Sequence, residues 1–208
     1  MKKTIQQIAL ITLVVLLFQS CKESKKSTKV SEENKEWSYS GETGPKYWND
    51  LLIGSDCGGK KQSPININTN NTVELEMNLN FSDFHYTKTT KINSVTNNGH
   101  TIEYDFDSGN NTIVFEGKEY TLKQFHFHSP SEHKINGVQY PLEMHLVHYN
   151  KKTNDYLVFA LMAEQGDSSP TFNFLEKFLP LAVNETKKVN SNYKFEEKME
   201  KYKNSTFY

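Results

Sequence analysis

The chain has no surplus of charge of either sign, little cysteine and no internal repeat. Its 24 basic residues meet 25 acidic ones, a formal net charge of -1, which removes the electrostatic case for nucleic acid or an anionic membrane face. The apolar stretch from Ile8 to Phe18 is too short to cross a bilayer as a permanent helix. What remains is 208 residues, 36% hydrophobic and 12% aromatic, enough for one domain with a real core and too apolar for wholesale disorder.

The N-terminus reads as an address. Lys2 and Lys3 precede the apolar stretch, and Gln19, Ser20 and Cys21 follow it, so residues 1–20 have the layout of a signal peptide. A small residue before a cysteine resembles the lipobox of bacterial lipoproteins, whose cysteine is acylated and becomes the mature N-terminus. An ordinary secretory signal with an incidental cysteine is the alternative. Either way the expectation is export, to the periplasm or as an outer-membrane or cell-surface lipoprotein anchored at Cys21. Residues 21–36 carry nine charges between Lys22 and Glu36 and one apolar side chain, Val30, the composition of a flexible tether. Cys57 is the only other cysteine, and in an exported chain a lone thiol suggests a missing partner.

From residue 37 to 208 the texture is that of a single, mainly β (α+β) domain. Runs such as TIEYDF, NTIVFEG, YTLKQFHFH and LEMHLVHYN alternate in character and are separated by turn dipeptides. Ser108–Gly109 and Asn136–Gly137 have hairpin chemistry, and the second lies between two histidine-bearing runs, which predicts that those runs pair as antiparallel neighbours. A helix is expected over Phe172 to Phe178, entered through Ser-Ser-Pro and stopped by Pro180, with a second, polar one around Phe195 to Tyr202.

Five of the seven histidines, His126, His128, His133, His145 and His148, fall within 23 consecutive residues. In a strand, side chains at i and i+2 share a face. Gln124, His126 and His128 therefore point one way and Phe125 and Phe127 the other. On the second run Glu143, His145 and Val147 share a face opposite Met144, Leu146 and His148. Pairing the runs brings His126, His128 and His145 onto one surface, and three neutral imidazoles with a fourth position open is the donor set of a catalytic zinc site. A ligating histidine needs its other N–H held by an acceptor; Gln124 and Glu143, each two residues before a histidine, are phased to do that. The bland reading of H-x-H alone is a polar strand face with two solvated rings. His126, His128 and Glu132 also fit H-x-H-x3-E, the first metal motif of the cupins, although the flanking glycines and the later P-x-G-x2-H motif of that family are lacking.

Further motifs arrive in a fixed order: WSYSGETGP from Trp37 to Pro45, Trp48, QSPINI from Gln62, NNGHT from Asn97, QFHFH, SEH and LEMHLVHYN. Together, from Trp37 to about Gly166, they resemble the alpha-class carbonic anhydrases. The resemblance implies a central, largely antiparallel twisted sheet with a few short peripheral helices. It also implies Zn2+ on His126, His128 and His145, with Gln124 and Glu143 orienting them, and reversible hydration of carbon dioxide to bicarbonate. His100 matches the family's proton shuttle, which suits an imidazole's ordinary titration near neutrality. Asn98 matches the polar side of the cavity, and Val147 and Val158 the apolar wall where carbon dioxide rests. Glu132 matches the glutamate that accepts a hydrogen bond from a gatekeeping threonine, and His133 and His148 read as structural.

Family members continue with a segment containing G-S-L-T-T-P-P, and the usual disulfide partner of the position matched by Cys57 follows it. This sequence closes on KNSTFY without that segment. The expectation is a domain incomplete at its C-terminus. A missing interior strand would leave unpaired backbone groups at about 1–3 kcal/mol each, against a total stability of about 5–15 kcal/mol. The expectation is therefore of impaired folding and catalysis. The competing reading is a non-catalytic, lipid-anchored zinc-binding protein on the same scaffold.

Overall fold

The computed structural model describes residues 36–51, 56–73, 83–106, 110–194, Met199 and Tyr208. The signal peptide, Cys21, the tether up to Lys35, the Ser108–Gly109 turn and all but Met199 of the helix expected around Phe195 to Tyr202 lie outside the described residues. Among the described residues no helix is long and apolar enough to cross a membrane.

The chain divides into two compact units, residues 1–55 and 56–208. In the first, two 3-10 turns, Gly41–Thr43 and Pro45–Tyr47, lead into the one-turn helix α1 (Trp48–Leu51). An indole N–H needs an acceptor when it is taken from water. Trp48 Nε1 donates to the carbonyls of Ser38 at 3.0 Å and Thr43 at 3.1 Å, and its ring meets the edge of Trp37 at 5.3 Å.

The second unit is built on strands. They are β1 (Asn66–Ile67), β2 (Phe84–His85), β3 (Thr90–Asn97), β4 (Ile102–Phe106), β5 (Thr112–Phe115) and β6 (Lys118–His128). After these come β7 (Lys134–Ile135), β8 (Val138–Gln139), β9 (Leu142–Asn150), β10 (Asp155–Ala163) and β11 (Thr186–Tyr193). Eight of them form one sheet in the order β10-β9-β6-β4-β3-β11, with β5 joined to β6 and β2, and every pairing in it is antiparallel. A small sheet, β1-β7-β8, holds the one parallel pairing among the described residues, β1 with β7. The mainly β, largely antiparallel architecture with few short helices is as expected.

One face of the large sheet carries the core. Phe125 and Leu146 are cross-strand partners and both are fully buried, as are Ile92 and Val95 on β3. Burying side chains of this size contributes about 1.5–3 kcal/mol each. Tyr104 on β4 stacks on Phe125 at 4.8 Å, and helix α2 (Pro170–Leu175) adds the fully buried Leu175. That helix starts two residues before its expected boundary. Pro170 has the φ a first helical residue needs, and Ser169 Oγ accepts from the Phe172 N–H at 3.3 Å. Its last turn tightens into a 3-10 segment, Glu176–Phe178, ahead of Pro180.

Asn136 and Gly137 have φ of 50° and 80°, the left-handed pair of a two-residue hairpin. The hairpin they close is β7–β8, not a direct turn from β6 to β9. The two histidine strands do pair antiparallel, but the connection between them is long enough to fold into its own hairpin and dock on β1.

Candidate metal centre

The register of β6 and β9 sets the site. Gln124 lies opposite Val147, His126 opposite His145 and His128 opposite Glu143. A bulge between Leu122 and Gln124 places two residues of β6 against one of β9. The bulge reverses the alternation. Leu122, an even-numbered residue, is buried on the core side opposite His148, while Gln124, His126 and His128 emerge on the other face.

The three rings form a triangle. Their centroids are 4.9 Å apart for His126 and His128, 5.2 Å for His126 and His145, and 4.8 Å for His128 and His145. One nitrogen from each lies within 4.8 Å of the others. His126 Nδ1 donates to Gln124 Oε1 at 2.8 Å, and His145 Nε2 donates to Glu143 Oε1 at 2.6 Å. Each of these bonds fixes a tautomer and leaves the opposite nitrogen, His126 Nε2 or His145 Nδ1, with a bare lone pair. The donor set fits a divalent ion with imidazole preference.

Burial, followed by the neighbouring rings of His145 and His128, pushes His126 down to about 4. Burial also lowers His128, against the pull of Glu132. Both rings are therefore neutral donors at pH 7. Glu143 is fully buried. Burial would raise its pKa, but hydrogen bonds from His145 and from the ring and backbone of His133 outweigh it and bring it to about 2.

The His133 bonds are the part of the site that its sequence position does not disclose. His133 Nδ1 donates to Glu143 Oε1 at 2.5 Å and its backbone N–H to Oε2 at 2.8 Å, while Ser63 Oγ lies 3.1 Å from His133 Nε2. His133, Glu143 and His145 could in principle form a second metal cluster. At 2.5 and 2.6 Å the carboxylate is already occupied by N–H donors, and no ion fits between. His133 thus hydrogen-bonds the same carboxylate that holds the His145 ring. A loop residue has no strand parity from which this could be read.

Glu132 comes to the triad. Its Oε2 lies 3.4 Å from His128 Nε2 and 3.8 Å from His145 Nδ1. A cavity of about 730 Å³ opens beside them, lined by His145, Glu132, His133, Ser63, Val158 and Ala160 among others. Val158 and Val147 are cross-strand partners on the same face; Val158 lines the cavity and is 49% exposed, whereas Val147 is half-buried and outside the lining.

Asn98 and His100 occupy the turn between β3 and β4, also outside the cavity lining. Asn98 Oδ1 accepts from the backbone N–H groups of His100 and Thr101, both at 2.9 Å, and its Nδ2 donates to Glu103 Oε1 at 2.8 Å. Burial and the nearby Asp105 raise the pKa of Glu103, against the Asn98 bond. On the core face, His148 Nδ1 donates to the Leu146 carbonyl at 2.9 Å, so its Nε2 accepts from Tyr86 Oη at 2.8 Å. Both ring nitrogens of His148 are thus engaged on that face.

Comparison with known proteins places this geometry in context. The family model of eukaryotic-type carbonic anhydrases matches residues 43–206. The carbonic anhydrase of Neisseria gonorrhoeae is 34% identical over 154 residues, 73% of this chain and 58% of that protein. The carbonic anhydrase of Klebsiella pneumoniae is 38% identical over 156 residues, 74% of this chain and 61% of that protein. The chain thus spans about three fifths of the length of these two relatives. Among solved structures, the alpha-carbonic anhydrase of Thermovibrio ammonificans in complex with the inhibitor sulfanilamide superposes with a TM-score of 0.69 at 34% identity, covering 78% of this chain and 70% of that one.

Proposed function

Because the chain belongs to the eukaryotic-type, or alpha-class, carbonic anhydrase family, we propose that it binds zinc through His126, His128 and His145 and catalyses the reversible hydration of carbon dioxide. The observation that carries this reading is the pair of fixed tautomers. Gln124 and Glu143 each take one ring N–H, so the lone pairs of His126 Nε2 and His145 Nδ1 are committed to a common point before any ion arrives. Zinc, when bound, supplies Lewis acidity that makes water a competent nucleophile at neutral pH.

The rest of the chemistry falls to the chain's own groups. The buried carboxylate of Glu143, held ionised by three N–H donors, keeps the His145 imidazole aimed. Val158, with Val147 across the strand pair, offers an uncharged gas an apolar surface beside the ligands. His100 takes up the released proton on its imidazole, and Asn98 holds the turn that presents it.

The test is a stopped-flow hydration assay on the zinc-loaded chain with and without a sulfonamide, beside His145→Ala. Sulfonamide-sensitive hydration that disappears together with zinc in His145→Ala is the expected result. A chain that binds zinc through these histidines but does not hydrate carbon dioxide would instead be a non-catalytic metal-binding protein. We also propose export and a lipid anchor at Cys21, supported by the charge, apolar run and small residue before it. Labelled-palmitate incorporation that persists in Cys21→Ser would overturn that.

A further inference from the structure

We propose that Asn136 is a self-modification site, whose side-chain amide is exchanged for a carboxylate with loss of ammonia, and that docking of β1 on β7 holds the reaction in check. The dipeptide itself is reactive. Asn136 and Gly137 form the exposed two-residue turn between β7 and β8, with φ of 50° and 80°. Gly137 has no Cβ to keep its backbone nitrogen away from the neighbouring side chain. Once solvent base has taken its proton, that nitrogen bonds to Asn136 Cγ as the Cγ–Nδ2 bond breaks, and Nδ2 leaves with a proton as ammonia. Water then opens the five-membered imide at either carbonyl, giving aspartate or isoaspartate. Isoaspartate routes the main chain through the side-chain carbon, and so lengthens a turn whose length sets the β7–β8 register.

The segment around β1 restrains both reacting groups. The Gly137 N–H, whose proton must leave first, is donated to Asn66 Oδ1 at 2.8 Å. The Asn136 amide is turned onto Thr69. Its Oδ1 accepts from the Thr69 N–H at 2.9 Å and hydroxyl at 3.1 Å, and its Nδ2 donates back to Thr69 Oγ1 at 2.9 Å. A hydroxyl can do both, having one proton and two lone pairs. Beside them the main chains are joined, the Asn136 N–H to the Ile67 carbonyl at 2.8 Å and the Lys134 N–H to the Ile65 carbonyl at 3.1 Å. Nucleophile and electrophile are thus each held by a different residue of the same short segment. Because the turn is exposed, hydrogen bonds rather than burial protect it, and they last only while β1 stays docked. Ser63, Pro64, Ile67 and Ile135 line the cavity beside His145. The contact that guards the turn therefore also builds one wall of that cavity, and conversion of Asn136 records that this wall has opened.

The test incubates the full chain in mildly alkaline buffer, folded and in urea. Mass spectrometry of the peptide carrying Asn136 follows its conversion, and enzymatic methylation identifies isoaspartate. Asn66→Ala removes the acceptor of the Gly137 N–H, and Thr69→Val removes the hydroxyl while keeping the shape; circular dichroism checks both folds. The expected result is conversion at least about tenfold slower in the folded chain than in urea. In either variant it should be about two- to tenfold faster than in folded wild type, the effect of one lost hydrogen bond on a local opening equilibrium. A folded chain that converts at the urea rate would overturn the restraint by β1, and so would two folded variants that convert no faster than wild type. Absence of conversion in urea would remove the site itself. Should one variant not fold, the other carries the comparison, and the folded and urea-treated wild type decide between restraint and none without either.

Discussion

Glu143 Oε1 sits 2.5 Å from His133 Nδ1 and 2.6 Å from His145 Nε2, so a single buried oxygen serves both a loop histidine and a strand histidine. With the His133 backbone N–H on Oε2, every described partner of this carboxylate is a donor. A side-chain amide cannot replace it, because its NH2 would face one of those N–H groups. Glu143→Gln should lower zinc affinity about 10- to 100-fold and destabilise the metal-free fold by about 1–3 kcal/mol. Chelator competition and urea unfolding read the two effects separately, and wild-type values for both would show that the shared oxygen is immaterial.

Gln124 makes the equivalent contact to His126 from a less enclosed position. Gln124→Ala should weaken zinc binding toward the lower end of that range, about tenfold, with less effect on stability because no buried charge is orphaned. A loss of stability exceeding that of Glu143→Gln would contradict the ranking.

His148 makes the metal-free fold sensitive to acid. Burial pushes its ring down to about 4, against the raising effect of the Leu146 and Leu157 backbones, whereas in the unfolded chain a histidine titrates near 6.5. Between those values the unfolded state holds a proton that the folded state does not, so stability falls as the pH drops from about 6.5 to about 4. At about 1.4 kcal/mol per pH unit, the whole window is worth about 3 kcal/mol. Urea unfolding of the metal-free chain across this range should show the decline, and His148→Gln, which keeps hydrogen-bonding capacity but does not titrate, should flatten it. An identical slope in the variant would assign the acid sensitivity elsewhere.

Phe125 sits between Gln124 and His126 with its ring on the opposite face, fully buried against Tyr104. Phe125→Ala should cost about 3–5 kcal/mol and also weaken zinc binding, because relaxation around the cavity shifts the backbone that carries both neighbours. Thermal unfolding with a parallel zinc titration measures the pair of effects; a destabilised protein with unaltered zinc affinity would mean that the two faces of β6 are independent.

Much of the centre was legible because strand parity is a strong rule. His126 and His128 share a face with Gln124, and the register with β9 adds His145 and brings Glu143 within reach. H-x-H-x3-E by itself could not choose between metal folds; the ordered motifs outside it, from WSYSGETGP through QSPINI and NNGHT to LEMHLVHYN, could. Parity succeeded because it was applied only after the bulge at Leu122 and Gln124. Counted back through Leu122 it would have placed a core leucine among the ligands, and nothing in KEYTLKQFHFH marks the extra residue. Asn136–Gly137 has the right turn chemistry, but turn chemistry does not name the strands that a turn joins. The contact of His133 with Glu143, and of Ser63 with His133, depends on how a long loop folds back, and short-range patterns carry no information on that.

β6 and β9 present an apolar core on one side and the imidazole triad on the other, which ties the chain's heat resistance to its surroundings. An ion that binds only the folded sheet raises its apparent melting point in proportion to the logarithm of ion concentration over dissociation constant. Two laboratories heating identical protein in buffers with different trace zinc would therefore record different transition temperatures, and each would be reporting its buffer as much as the polypeptide.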